Sequence, residues 1–332
     1  NVDYRFTEKQ ENEWAFLTDF TLPFQWLDRD WSWALEQQLL IEPNEQVEWE
    51  IETSLSYDFS MLLDWTLAFS QGYDLDTQPD DEEENNGGRS YFTTGLSLGT
   101  EIGTGLIIPE AGELSYDPEL YTEARYPRGE DSPRDSGVFR EYAIGFDHQL
   151  GAEQVDWVGN FRRGWGFSLV NENEYGVLAG SWDRSLEATV RGYEPLGPVA
   201  FSGRLTGFLR FDQLSQDAGG PIRGILDKHI DADYGAFANA DFTVSVFTIP
   251  KFMEAQGSLF YDVGLVGRHD SSLSSGERVR QGIGLEAIGF PLFARILFVR
   301  VSFGTDLDEL AEEGASAIWP NREIFIGLGH HY

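Results

Sequence analysis

Along most of this chain apolar and polar residues alternate with a period of two. Val47, Trp49, Ile51, Thr53, Leu55, Tyr57 and Phe59 fall on one side, and Glu48, Glu50, Glu52, Ser54, Ser56 and Asp58 fall on the other. Met61, Leu63, Trp65, Leu67, Phe69 and Tyr73 then oppose Asp64, Thr66, Ser70 and Asp74. Successive side chains of a strand point to opposite faces, so both stretches read as strands with one apolar surface. They run past the five or six residues typical of a sandwich strand. The same pattern predicts strands from Trp14, from Trp31 and over Tyr91–Ile102, then shorter ones over Val138–Leu150, Val155–Asn160, Gly164–Asn171, Gly176–Trp182 and Ser185–Tyr193. A long strand starts at Pro198. Four more follow, over Asn239–Thr248, Ala255–Val266, Val279–Ile288 and Ile296–Leu307.

The final stretch repeats the alternation. Ile324, Ile326, Leu328, His330 and Tyr332 share one face, and the chain stops on that aromatic. Turn-rich polar segments separate the strands. Residues 79–88 are acidic, residues 109–136 read as a second long loop, and residues 213–232 as a third. The acidic segment reads first as a solvated loop; calcium is its second reading, because carboxylates are the hard ligands that ion prefers.

The polar faces carry Arg, Glu and Asp in row after row. A sandwich core does not hold such rows, but a water-filled lumen does, with the apolar face turned to lipid. The fold expected is all-β: one transmembrane antiparallel barrel domain over residues 1–332, of about 16 strands, closed by its last strand. No apolar run is long enough for a transmembrane helix, which leaves barrel strands unaffected.

Composition changes the picture in three places. Aromatics at 14% and 36 glycines suit interfacial girdles and closely packed strand faces. The absence of cysteine excludes thiolate metal sites and disulfides. The net charge of −34 repels phosphate backbones, so nucleic acid is not an expected partner; the excess acid reads as solvated loops in a salty habitat. A start at Asn1 points to a processed chain or an excised fragment.

Chemistry is sparse. His330 and His331 are adjacent on a strand and point to opposite faces, so they cannot share a metal. Neither a phosphate loop before a helix nor a Gly-x-Ser-x-Gly elbow is present, and the paired carboxylates suit a lumen lining. No enzyme activity, metal site or cofactor is expected.

Three motifs in the last third carry a resemblance. They are Pro221-Ile-Arg-Gly-Ile225, Asn239-Ala-Asp-Phe242 and Phe260-Tyr-Asp-Val-Gly264. From about Pro198 to Tyr332 the chain resembles the superfamily of BamA, TamA, FhaC and the bacterial surface antigens, outer-membrane barrels that insert or export proteins. The first motif resembles that family's Val/Ile-Arg-Gly-aromatic signature in a large external loop, with Ile225 standing where the family has an aromatic. The third matches its Phe-x-Asp-x-Gly strand, and the second places an inward acid on the strand after the loop. The resemblance implies a loop folded into the barrel, with Arg223 and Gly224 held near Asp241, Phe260, Asp262 and Gly264. It implies that Arg223 pairs with Asp262 and Asp241. The alternation independently puts both acids on the polar face of adjacent strands, where a guanidinium bonds a carboxylate in a way lysine does not reproduce. A second candidate, Arg191, Gly192 and Tyr193, is closer letter by letter. Its position suits the motif less, and Val190 continues a strand's apolar face.

The resemblance implies a bacterial outer-membrane location, lipid around the barrel, client proteins and other outer-membrane or periplasmic subunits as partners. Family members usually carry POTRA domains before the barrel; here the strands take up the chain, so either such domains were cut away or this is a short member that relies on a partner. The function expected is help in assembling or exporting proteins through a seam between the first and last strands, with Ile324, Ile326, Leu328 and Tyr332 on the closing strand. The alternatives are a passive, cation-preferring, porin-like channel and a structural accessory barrel.

Overall fold

The computed structural model describes residues 14–26, 29–41, 47–60, 63–76, 89–128, 141–211, 216–217, 222–223, 231–250, 252–268, 279–291, 297–307, 310–311 and 322–330. Fifteen strands form one antiparallel sheet, and two short strands form a separate ribbon. The first half of the sheet holds β1 (Trp14–Trp26), β2 (Arg29–Ile41), β3 (Val47–Ser60), β4 (Leu63–Asp76), β5 (Arg89–Ile108), β6 (Gly112–Arg128), β7 (Glu141–Val158) and β8 (Phe161–Gly176). β9 (Ser181–Leu196) and β10 (Val199–Arg210) follow, and the ribbon is β11 (Gln216–Asp217) with β12 (Asp231–Ala232). The sheet resumes with β13 (Tyr234–Ile249), β14 (Met253–Gly267), β15 (Val279–Pro291), β16 (Leu297–Asp306) and β17 (Arg322–His330). Each strand pairs with its neighbour in sequence, except that β10 pairs with β13 across the ribbon.

Connections alternate in length. β3–β4, β7–β8, β9–β10 and β13–β14 are joined by two or three residues, whereas β4–β5, β6–β7, β10–β13 and β14–β15 are joined by ten or more. One rim therefore holds these tight turns and the other these large loops, together with the shorter β2–β3 and β8–β9 connections, which places the residue 213–232 segment on the large-loop side.

The alternation sorts side chains onto two surfaces. Phe201, Phe242 and Leu259 lie across β10, β13 and β14 in register, and Leu285 of β15 continues the row. All four are exposed, Leu285 at 63%. Leu67, Leu98, Leu120 and Phe146 make a similar exposed row over β4–β7. The opposite face is enclosed. Along β14 Gln256, Ser258, Phe260, Asp262 and Val266 are all buried. A small apolar core of Phe208, Ile222, Ala232, Phe237 and Val266 sits inside, where the long loop meets the wall.

Three expectations are revised. Residues 112–128, read as loop, are strand β6, which follows a turn at 109–111. Glu113, Asp117, Glu119 and Glu123 on one face and Pro118 in the middle hide a strand whose inward surface is charged. Where five short strands were expected between 138 and 193 there are three long ones, β7 to β9. Gly164, with φ of 127°, lets β8 pass Gln154 so closely that a Cβ would lie 2.0 Å from that residue's carbonyl oxygen; pairing with β7 continues through it, and the ladder with β9 begins at it. Third, the expected closure is not formed by the described residues. Among them β1 pairs only with β2, and β17 only with β16. β17 contributes nine residues, among them Gly327 and Gly329, which weaken a strand.

The acidic segment 79–88 lies outside the described residues, as do Gly224, Ile225, His229, His269, His331 and Tyr332. Ile324, Ile326 and Leu328 are placed by backbone register only, opposite Phe303, Val301 and Val299. Among the described residues no His, Asp and Glu group has metal-binding geometry, and no helix is long and apolar enough to cross a membrane.

Candidate functional site: a loop arginine against the inner wall

The inner face of β14 presents Phe260, Asp262 and Gly264 at alternate positions, and each meets the loop residues Ile222 and Arg223. Asp262 is fully buried at 0% exposure. A carboxylate in that position needs partners, because an unpaired buried charge is very costly. The partners come from Arg223. Its backbone N–H donates to Oδ2 of Asp262 at 2.9 Å, its Nε to the same oxygen at 2.8 Å, and its Nη2 to Oδ1 at 2.8 Å. The two side-chain bonds form the fork that arginine alone supplies. Nη1 donates to Oδ1 of Asp241 on β13 at 2.5 Å. One guanidinium thus joins the loop to two adjacent strands.

Phe260 lies under the same group, its ring centroid 4.2 Å from the Arg223 Cζ. The ring is 1% exposed, so this cation–π contact is made away from bulk water, where it is strongest. Gly264 leaves the space that Ile222 fills: a Cβ on it would lie 2.4 Å from the Ile222 Cδ1. The three spaced residues of the strand motif therefore have three physical jobs: stacking, charge pairing and clearance.

Burial opposes charge on Arg223, but its hydrogen bonds to Asp262 and the charge of Asp241 outweigh that and raise its pKa further.

Two contributors are not visible in the motifs. On β15 a Cβ at Gly282 would fall 1.9 Å from the Arg223 carbonyl oxygen, and one at Gly284 2.3 Å from the Phe260 ring. The glycine-rich character of this strand is the signal that points to a close approach. The other is Phe237 of β13, 1% exposed and stacked on Phe208 at 5.5 Å with an interplanar angle of 6°, which closes the apolar side of the Ile222 pocket. Beyond the carboxylates, Arg300 of β16 pairs with Glu286 of β15 on the inner wall.

The second candidate motif lies elsewhere. Arg191, Gly192 and Tyr193 sit within β9, paired in register with Arg204, Gly203 and Ser202 of β10. Arg191 forms an ion pair with Glu153 of β7, two strands away, and among the described residues it has no hydrogen bond or ion pair with the loop. Tyr193 accepts a contact from Arg162 of β8.

No protein-family model matches the sequence, and no curated protein matches it. Solved structures do. CdiB from Acinetobacter baumannii superposes with a TM-score of 0.68 at 14% identity over 99% of this chain and 59% of its own. BamA from Haemophilus ducreyi lacking POTRA domains 1-3 gives 0.64 at 12% over 99% and 69%, and CdiB from Escherichia coli gives 0.66 at 11% over 99% and 62%. The chain therefore spans about three-fifths of the length of the CdiB proteins it resembles. At these identities the likeness is one of fold, and its extent settles that point: almost the whole of this chain folds as the β-barrel architecture of CdiB and BamA.

Proposed function

We propose that this chain is a bacterial outer-membrane barrel of the protein insertion and translocation type, which handles client polypeptides together with outer-membrane or periplasmic subunits. Its exposed rows of Leu and Phe face lipid. The observation that carries the reading is the docked loop. Arg223 spends its whole hydrogen-bonding fork on Asp262 and Asp241, so the loop from the large-loop rim is anchored inside the sheet. In this reading the loop is a lumen lock and stiffens the wall of β13–β15, leaving the β1 and β17 edges as the compliant seam. A client strand adds there by pairing with exposed backbone groups.

A second reading, a cation-preferring channel, is favoured by the inner acids of β6–β8, where Glu119, Glu123, Asp147, Glu172 and Glu174 stand on one wall. One experiment separates the two. The barrel is purified from native membranes after photo-crosslinking from β1 and β17. Recovery of partner subunits and client polypeptide joined to those strands is the expected result. A barrel recovered alone, with steady cation conductance in a planar bilayer, would refute the translocation reading.

A further inference from the structure

The turn between β7 and β8 leaves the wall. β8 and β14 are separated by β9, β10 and β13, so four interstrand spacings of about 4.8 Å set them roughly 19 Å apart along the sheet. Yet Asn160 in that turn donates from Nδ2 to Oε2 of Glu254 at 2.5 Å, and its backbone carbonyl accepts from Nε2 of Gln256 at 3.0 Å. A side chain alone does not cover that span. The turn backbone itself crosses the interior, and Phe161 is buried beside it.

Between this turn and the Arg223 contacts lies a chamber of about 410 Å³. Its charged lining is Arg162, Arg204, Arg223 and Arg300 against Asp241 and Glu286. That is a local excess of guanidinium in a chain with 57 acidic and 23 basic residues. Arg223 is taken by Asp241 and Asp262, and Arg300 by Glu286. Among the described residues the other two have no carboxylate partner. Nε of Arg204 donates to the neutral Oδ1 of Asn239 at 3.0 Å. Arg162 is held over the rings of Trp157 and Tyr193, at 5.1 and 5.5 Å. Both remain exposed and line the chamber, and among the described residues both keep N–H donors free of any acid.

We infer that this chamber is an oxyanion subsite, with Arg204 and Arg162 as its donors, and that it takes the carboxylate of a polypeptide. Aromatic and apolar walls from Trp157, Ile288 and Phe290 suit a carboxylate flanked by apolar residues. The volume is within the roughly 300–1,000 Å³ of small-ligand sites. The anion preference stands on this geometry; the choice of a peptide as its source rests on the proposed function.

The test is calorimetric titration of the full chain in detergent with a short apolar peptide as the free acid, the same peptide as its amide, and inorganic phosphate. The free acid should bind about tenfold more tightly than the amide, the margin of a charge-assisted bond, and phosphate should compete with it. Arg204→Gln and Arg162→Gln should each erase most of that margin while leaving heat resistance as in the wild type, which shows that the barrel is intact. Phosphate binding that depends on both arginines, with acid and amide bound equally, would overturn the peptide assignment and give the site to a free anion. Equal binding of acid and amide without phosphate binding, or a preference that survives both substitutions, would overturn the site altogether. Failure to capture clients while the acid preference persists would refute the functional reading and leave the chamber standing.

Discussion

The walls made by β13–β16 and by β6–β8 are alike outside and unlike inside. Both show lipid-type rows, with Phe242, Leu259 and Leu285 in one and Leu120, Phe146 and Leu169 in the other. On the inner face of β13–β16, acids are matched by arginines: Asp262 and Asp241 by Arg223, Glu286 by Arg300. On the inner face of β6–β8, acid stands near acid, and the bonds are mostly to neutral groups. Tyr121 donates to Glu174 at 3.0 Å, Ser185 to Glu172 at 2.5 Å, and the Asn173 backbone N–H to Asp147 at 3.1 Å. Arg210 reaches this wall as well, 3.3 Å from the half-exposed Glu172. The comparison teaches that the outer face reports where the sheet sits, whereas the inner face reports what each wall is for. One wall holds a loop; the other presents its acids to the interior.

Four substitutions sharpen or break this contrast. Arg223→Ala has the largest expected effect. It strands the fully buried Asp262, a loss of about 3–5 kcal/mol by analogy with other desolvated pairs, and should lower the temperature at which the folded barrel converts to the unfolded band in gel-shift heating. Gly282→Val comes next. It forces the loop carbonyl away from β15 at a cost of about 1–3 kcal/mol, and should change protease susceptibility of the 213–232 segment in the same sense as Arg223→Ala. Phe260→Leu removes the ring under the guanidinium but keeps an apolar filler; a loss of about 1 kcal/mol in the same heating assay is expected. Glu174→Gln on the other wall should change stability by less than about 0.5 kcal/mol, because the glutamine oxygen still accepts from the Tyr121 hydroxyl. A large loss there would erase the difference between the walls.

Much of this was legible in the sequence, but unevenly. Strands β13 to β16 were readable because each has a mostly apolar face and a short polar one, as in Leu259, Tyr261, Val263 and Leu265 against Ser258 and Asp262. The geometry brings together Arg223, Asp241, Phe260, Asp262 and Gly264, the residues the motifs singled out. Strand β6 was not readable, because Glu113, Asp117, Glu119 and Glu123 look like a solvated loop until a water-filled interior is there to receive them. Nor was the inward fold of Asn160: a Gly-Asn turn signals a reversal, not the direction in which the reversal tips. The contacts of Gly282 were half visible, as a glycine-rich strand without an assigned neighbour.

The central claim is that Arg223 and Asp262 act as one unit holding the loop to the wall. A double-mutant cycle of Arg223→Ala and Asp262→Ala, followed by heat denaturation of the folded barrel, tests it most directly. The expected result is strong coupling, with the double variant little less stable than Arg223→Ala alone. Losses that add in full would contradict the claim.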